Sequence, residues 1–333
     1  MTRLLARYAE CVFWLARYVE RAENLARILE VQATFARDSK GTQDWRVVLR
    51  INADADRFRK VHAEPTAEAV LSFYLLERGN PTSLISNLYH ARENARTLRS
   101  LISTEMWTQL NVFHKLITGL SPAEVTEDRL ARLCSLVKQG CEAHFGITAG
   151  TFYRDEAWSF YQLGAAIECA DQTTRLLDAK FLALEGRVDS GDTAPGSATD
   201  ISYWTAVLRS VAAYQAFRRV HGRGMNPEQV ATFLICDPSF PRSVACNVGI
   251  VAEELTRLRR RYRLRGTDAA LERLDALTAS LDVRLVREAM AQGRLHEFND
   301  SVQRDLAGVT AELGVAFFGH APPQRQQQRS RQG

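Results

Sequence analysis

The chain has 333 residues, a formal net charge of +4 and 46% apolar residues, a composition typical of globular proteins. This small charge does not by itself predict nucleic-acid binding. The sequence contains no run of about 18 apolar residues, so it predicts no membrane span. The arginine-rich N-terminus contains Glu10, Glu20 and Glu23, which a signal or transit peptide would lack. These observations predict a cytoplasmic protein without a membrane or nucleic-acid partner.

Helical periodicity dominates the first part of the chain. Residues 4–31 carry apolar residues at helical spacing and predict a long helix, followed by a polar break at 38–44. Asn80-Pro81 favours a helix start, with Asn as the cap and Pro at the first helical position. Gly146 to Gly150 predicts a loop. The further helices predicted here span residues 45–62, 66–76, 80–103, 106–118 and 127–145.

The second part of the chain continues in the same way. Residues 186–200 predict a mobile loop, and the basic, low-complexity residues 321–333 predict a disordered tail. Alternating strand patterns are nearly absent. The sequence therefore predicts an all-α fold of about ten to twelve helices in a compact bundle. The helices predicted in this part span residues 155–185, 201–219, 227–236, 241–263, 268–290 and 295–318.

Two of the predicted helices carry the same pattern of charges. Glu20-x-x-Glu23-Asn24-x-x-Arg27 returns 148 positions later as Glu168-x-x-Asp171-Gln172-x-x-Arg175. In each copy the last acid and the arginine have the i,i+4 spacing that favours a helical ion pair. Three interpretations remain open. The residues form a buried ion-pair network that fixes how the helices cross, a polar groove that binds an amine, carboxylate or phosphate, or a solvated face.

A second set of matches points to an internal duplication. Here residues recur 160 positions later, and Trp45 with Val48-Leu49-Arg50 resembles Trp204 with Val207-Leu208-Arg209. The shared Pro, Trp and Asn are not core-pattern residues. The matched residues are Glu68, Val70, Phe73, Pro81, Ser83, Asn87, Glu93, Leu98 and Arg99, with Glu228, Val230, Phe233, Pro241, Ser243, Asn247, Glu253, Leu258 and Arg259. Against chance similarity between helices, we predict one domain over 1–320 with pseudo-repeats of about 1–146 and 147–320. The two charged helices would then face each other.

Other polar residues are weaker site candidates. Arg92, Glu93 and Arg96 form either a salt-bridged helix face or a docking site for an acidic partner or phosphate. Arg154 follows the glycine loop and either belongs to an ordinary connection or contacts a ligand. The basic run 257–265 is either a solvated face or a surface for an acidic protein or RNA.

Metal and cofactor sites are not expected. No histidine lies three residues after a glutamate, as the ligands of di-iron helical bundles do. A P-loop signature and a nucleophile elbow are also missing. We therefore expect neither a metal nor a cofactor.

Five segments together resemble one known family. They are WLARYVERAENLAR (14–27), NPTSLISNLYHARENARTLRSLISTEMW (80–107), GITAGTFYRDEAW (146–158), ECADQTTRLLD (168–178) and DPSFPRSV (237–244). These segments resemble the alpha-E domain family, all-helical bacterial proteins named for a Glu-Arg motif. The motif maps onto Glu20 and Arg21, whereas Cys169 replaces the arginine in the second copy.

This resemblance implies a role in an amide- or peptide-forming system. Proteins of this kind tend to be encoded beside, or fused to, a circularly permuted ATP-grasp protein, and near transglutaminase-like proteins. Two hypotheses follow. The first is an accessory or co-catalytic partner of an ATP-grasp-type ligase, binding the ligase or its peptide substrate. The second is a stand-alone enzyme of peptide or amide metabolism that uses Glu20 or Glu168 as a general acid or base.

Overall fold

The computed structural model describes residues 4–38, 44–188, 198–222 and 224–321. These residues form fifteen α-helices and no strand, so the fold is all-α, as predicted. A 3₁₀ turn at Pro122–Glu124 and a π-helical turn at Gly314–Phe318 complete the described structure. The helices are α1 (Ala6–Asp38), α2 (Arg46–Ile51), α3 (Ala55–Arg59), α4 (Ala67–Leu75), α5 (Leu84–Thr97), α6 (Thr104–Thr118), α7 (Glu127–Thr151), α8 (Glu156–Val188), α9 (Ala198–Ser210), α10 (Tyr214–His221), α11 (Pro227–Cys236), α12 (Val244–Tyr262), α13 (Asp268–Ser280), α14 (Val283–Ala291) and α15 (Leu295–Leu313).

The two charged helices of the sequence, α1 and α8, lie at the centre of the molecule and pack against each other. Each is 33 residues long. α5 and α7 cover further sides of α1, while α12 and α15 cover α8. Because neighbours surround it, α1 buries Phe13, Leu15 and Val19 completely along with much of its polar stripe. The apolar residues on several sides of this helix are therefore explained by packing.

Gly164 sets how closely α1 and α8 approach. A Cβ atom at this position would lie 2.2 Å from the carbonyl oxygen of Phe13 on α1. Contacts this short do not occur between real Cβ atoms and backbone, so only glycine fits here. The close approach brings Glu168, one turn further along α8, within reach of arginine side chains on α1.

The same local geometry recurs at matching places before and after α8. Ala53, between α2 and α3, and Ala212, between α9 and α10, are two of three described non-glycine residues with positive φ, at 53° and 56°. Because an isolated left-handed residue ends a helix, the predicted helices 45–62 and 201–219 are each wrong as single helices. Both are split at corresponding points.

The turns that lead into α5 and α12 also correspond. Ser83 accepts a hydrogen bond from the Ser86 amide and Ser243 from the Cys246 amide, so serine is the N-cap of both helices. The predicted start of α5 at Asn80-Pro81 is therefore wrong. The Asn80 side chain instead donates to the carbonyl oxygen of Phe73 (3.0 Å) and stabilises the preceding turn. These correspondences support the predicted duplication.

Three further predicted boundaries differ from the structure. Gly146 and Gly150 lie inside α7, which continues to Thr151, so the predicted loop is wrong. Burial of His144 and Thr148 on one face of α7 outweighs the cost of glycine in a helix, about 1 kcal/mol each. The predicted boundary between the pseudo-repeats, after residue 146, thus falls inside α7. The non-helical segment between α7 and α8 is residues 152–155. Residues 268–290 form two helices, since Asp282 caps α14.

Some predictions fall on parts of the chain outside the described residues. These are most of the polar break at 38–44, residues 189–197 of the predicted mobile loop, and residues 322–333 of the predicted tail. The backbone at 186–188 is the end of α8. Among the helices that the structure describes, none combines the length and apolar character that a bilayer crossing requires.

Candidate functional site

Glu168 of α8 is a buried carboxylate that accepts four hydrogen bonds from other side chains. Its side chain is fully buried, and two arginines of α1 bind it. Arg21 donates from Nε to Oε1 (2.7 Å) and from Nη2 to Oε2 (2.9 Å), and Arg17 Nε donates to Oε2 (2.8 Å). Gln172, one turn further along α8, donates to Oε1 at 3.1 Å. Burial alone would raise the pKa of Glu168, but Arg21 and Arg17 hold it well below its usual range. This carboxylate is therefore ionised at neutral pH.

Glu20 and Glu23 form the corresponding cluster on α1. Arg242, from the turn before α12, donates from Nη1 to Glu20 Oε1 (2.8 Å) and from Nη2 to Glu23 Oε1 (2.7 Å). Asn24 donates to Glu20 Oε1 at 3.1 Å, as Gln172 does to Glu168. Arg27 Nε donates to Glu23 Oε1 at 2.7 Å. Burial raises the pKa of Glu20; Arg242 opposes this effect, and the nearby charge of Glu23 adds to it.

The two clusters obtain their cations from different elements. In the alignment of the two charged helices, offset by 148 positions, Arg21 corresponds to Cys169. In the second set of matches, offset by 160 positions, Thr82 corresponds to Arg242. In the Glu168 cluster the helix supplies the arginine, whereas Thr82 of the corresponding turn donates to Asp54 and Asn80. In the Glu20 cluster the helix residue is a buried cysteine, and the turn supplies arginine, whose Nη1 lies 4.0 Å from Cys169 Sγ. Arg242 of the turn therefore takes the place of the arginine that α8 lacks at position 169.

Arg242, like Arg17 of α1, is a residue of this region that sequence reasoning missed. It lies in a turn, outside any helical periodicity, and contacts acids more than 200 positions away. One signal could have pointed to it. Cys169 leaves the acids of α1 without the arginine that their counterpart has, so a cation from elsewhere was needed.

The remaining residues of the two patterns follow the predicted spacing. Arg175 pairs with Asp171 at 2.7 Å along α8, as Arg27 pairs with Glu23 along α1. Arg27 also reaches Glu142 of α7 at 3.3 Å, near the surface. The structure therefore brings Glu20, Glu23, Arg27 and their counterparts to one central region, together with Arg21.

The weaker candidates lie apart from this region. Arg92 and Arg96 both bind Glu93 of their own helix, at 2.7 and 2.6 Å, and Arg92 Nε also donates to Asn111 on α6. Arg154 donates to the carbonyl oxygen of Ala149 and stacks 3.3 Å from the centre of the Trp158 ring. Arg154 therefore closes the C-terminal end of α7. The glycine loop that was predicted to precede it is part of that helix.

One group among the described residues has the composition of a metal site. Asp178, His296 and Asp300 offer ligand atoms within 4.8 Å of one another. His296 Nδ1 and Asp178 Oδ1 already lie 2.5 Å apart, and this hydrogen bond raises the pKa of His296. An aspartate–imidazolium pair accounts for the arrangement by itself.

A surface cavity of about 320 Å³ lies between α4 and residues 122–127. Leu71, Leu76 and Val125 give it apolar walls, and Glu68 and Glu127 stand at its edge. None of the paired carboxylates of α1 and α8 lines it. Binding at this cavity would therefore not involve Glu20 or Glu168 directly.

The chemistry available at the α1–α8 region is that of paired charges. Each carboxylate that could act as an acid or base already accepts hydrogen bonds from arginine and from an amide side chain. Arg17 and Arg21 share the single carboxylate of Glu168, so the Glu168 cluster retains a positive excess. The side chain of Arg21 is 21% exposed, which leaves it accessible to an anionic group.

Comparison with known proteins gives one match. A family model described as a predicted alpha-helical domain with a conserved ER motif, named Alpha-E, matches residues 4–318. No curated protein and no solved structure shows a significant match. The match covers nearly the whole described structure. The chain therefore belongs to the Alpha-E family.

Proposed function

We propose that this protein is an accessory or co-catalytic partner of an ATP-grasp-type amide or peptide ligase. It docks the ligase, or the peptide substrate of the ligase, in the region where its two halves meet. Membership of the Alpha-E family supports this proposal. The resemblance described above implies a circularly permuted ATP-grasp protein as partner, with a transglutaminase-like protein encoded nearby. Because the partner enzyme uses ATP, the complex would act in the cytoplasm.

The ion pairs that Glu20 and Glu168 each form with arginines support an accessory role over a catalytic one. A general acid or base must reach the proton that it transfers. Glu168 is completely buried and held by Arg17 and Arg21, and Glu20 is buried beneath Arg242. Residues held in this way fix the crossing of α1 and α8, so the family motif acts first on architecture.

One observation favours the alternative, a stand-alone enzyme of peptide or amide metabolism. The pKa of Glu20 is raised by burial, with Arg242 opposing and Glu23 contributing, and a raised carboxyl pKa is a common property of catalytic acids. Under this alternative Glu20 or Glu168 would act as the acid or base once the Arg242 side chain moved aside.

Reconstitution with the ATP-grasp protein distinguishes the two functions. The purified chain and the ATP-grasp protein are first tested for co-elution, and ATP-dependent amide formation is then measured with and without the chain. We expect a stable complex, faster amide formation in its presence, and no turnover by the chain alone. Absence of both complex formation and stimulation would refute the accessory role.

The variant Glu20→Gln gives the second part of this test. It keeps the size of the side chain and removes the ionisable group. If the accessory role holds, any loss of stimulation follows the fraction of unfolded protein, measured by circular dichroism. If the variant melts like the wild type and abolishes turnover by the chain alone, the catalytic alternative is correct.

A further inference from the structure

A continuous row of aromatic rings crosses from α1 over α5 to α6. Trp14 and Tyr18 have ring centres 5.7 Å apart, and Tyr18 stacks on His90 at 5.3 Å. His90 contacts Tyr89 at 5.3 Å, and Tyr89 contacts His114 at 6.4 Å. We call these five residues the aromatic stripe. Arg17 and Arg21 of the Glu168 cluster contact its rings, but the stripe includes none of the paired carboxylates.

The stripe reaches the surface in its middle. Tyr89 is 45% exposed and His90 is exposed, while Trp14, Tyr18 and His114 are partly buried. Contiguous exposed aromatic residues are unusual on a protein that has no partner. Tyrosine and tryptophan are also the residues that contribute most to the affinity of protein interfaces, together with arginine.

Arginines flank the stripe at both ends. Arg17 lies 4.9 Å from the Trp14 ring and Arg21 lies 5.9 Å from the Tyr18 ring, and these two cations share one carboxylate. At the other end, the pKa of His114 is lowered by partial burial and by the charges of Arg92 and Arg78. The acids nearest the stripe are already engaged, because Glu10 contacts His320 and Glu93 binds Arg92 and Arg96.

Arg78 is the least engaged of these cations. Its side chain is exposed, and it has no ion-pair partner among the described residues. Its carbonyl oxygen accepts a hydrogen bond from Ser86 Oγ at 3.2 Å, which places residue 78 about one helical turn from Tyr89. The charge of Arg78 also acts on His114, whose ring contacts Tyr89 at 6.4 Å, so an unpaired positive charge lies near the exposed end of the stripe.

These contacts favour an acidic polypeptide over a nucleic acid as the occupant. Base stacking needs a free ring face. Here His90 covers a face of Tyr18, and Arg17 and Tyr18 lie against Trp14, so Tyr89 is the exposed tyrosine of the stripe that remains for stacking. Single-stranded nucleic acids are bound through several successive stacked bases, which one ring does not provide. The exposed part of Tyr89 instead suits an apolar side chain, and the arginines suit carboxylates. We propose that the aromatic stripe docks an acidic segment of a partner polypeptide, with an apolar side chain of that segment against Tyr89 and its carboxylates at Arg78 and Arg21.

This docking surface is independent of ligase activity. The proposed function is tested by amide formation, whereas the stripe is tested by direct binding to the purified chain. Failure of one experiment therefore leaves the other in place.

The test measures binding of a dye-labelled, glutamate-rich peptide with one central phenylalanine, by fluorescence anisotropy at low salt. We expect saturable binding, and binding at least about tenfold weaker for the double variant Tyr89→Ala/His90→Ala, as for a hot-spot pair. Arg78→Glu should weaken binding by a similar factor, because it reverses the charge beside the ring. All three residues are exposed, so we expect wild-type melting curves from these variants.

Tyr153→Ala is the matched control, since Tyr153 is 70% exposed but lies at the junction of α7 and α8. It should bind the peptide as the wild type does. A lysine-rich peptide with the same phenylalanine should not bind. Absence of saturable binding, equal binding by the stripe variants, or tighter binding of oligothymidylate that the Tyr89/His90 variant abolishes would overturn the proposal.

Discussion

Arg21 of α1 binds both carboxylate oxygens of Glu168 on α8, at 2.7 and 2.9 Å. Arg21 thus belongs to one half of the chain and the carboxylate that it binds to the other. The same relation holds in the opposite direction, since Arg242 of the second half binds Glu20 and Glu23 of the first. Two crossed ion-pair clusters therefore join the halves.

Glu168→Gln should destabilise the protein strongly. The substitution keeps the shape of the side chain but leaves Arg17 and Arg21, with side chains 11% and 21% exposed, without their buried carboxylate. Breaking a buried pair in this way costs about 3–5 kcal/mol in unfolding free energy. Chemical denaturation checks this value. Glu142→Gln is the control, because Glu142 is 58% exposed and should change the free energy little. Equal denaturation midpoints for both variants would contradict the expectation.

The contribution of Glu168 should also depend on pH. The folded state holds the pKa of Glu168 well below its usual range, since Arg21 and Arg17 outweigh the effect of burial. The unfolded state therefore binds the proton more readily, and the stabilisation is complete above the unfolded pKa of about 4.3. It declines as the pH falls below that value. The difference in unfolding free energy between wild type and Glu168→Gln should shrink from about pH 5 downward. A difference that grows on acidification would show that this assignment is incorrect.

Arg242→Thr should destabilise the Glu20 cluster by about 3–5 kcal/mol, because it leaves two buried carboxylates with Arg27 alone. Threonine is the residue at the corresponding position 82. Adding Cys169→Arg should then recover part of this loss, since arginine at the corresponding position 21 reaches the carboxylate across the helix crossing. A double-mutant cycle should give a favourable coupling of about 1–3 kcal/mol. Additive losses would mean that the two positions do not exchange roles.

Gly164→Ala tests the closeness of the central crossing. The new Cβ atom would meet the Phe13 carbonyl oxygen at 2.2 Å, and neither backbone can move freely. We expect a loss of about 3 kcal/mol or more in unfolding free energy. Gly146→Ala is a matched control inside α7, where a Cβ atom meets nothing within 4 Å. That variant should be more stable than wild type by about 0.5–1 kcal/mol. Thermal melts of the two variants should therefore shift in opposite directions.

Local sequence patterns account for the fold class and for many of the helices. Apolar periodicity and caps predicted α4 within one residue at each end and α11 at both ends. Predictions failed where tertiary packing decides the outcome. Gly146 and Gly150 continue a helix because that helix has a buried face, and Ala53 and Ala212 interrupt one although alanine favours helices.

The candidate site could be predicted only where its contacts are local. The pairs Glu23–Arg27 and Asp171–Arg175 follow from i,i+4 spacing on one helix. The partners of Glu20 and Glu168 come from other elements, so no spacing rule reveals them. Arg242 in particular carries no local pattern and is identified only by its position in three dimensions.

The crossed clusters make the two halves of the chain electrostatically incomplete when apart. A polypeptide ending after α7 would keep Glu20 and Glu23 but lose Arg242, and one starting at α8 would keep Glu168 but lose Arg21. Each fragment would have to hydrate an acid that its folded form shields from water. Chain cleavage between α7 and α8 should therefore yield pieces that become ordered only on mixing, as an obligate heterodimer does.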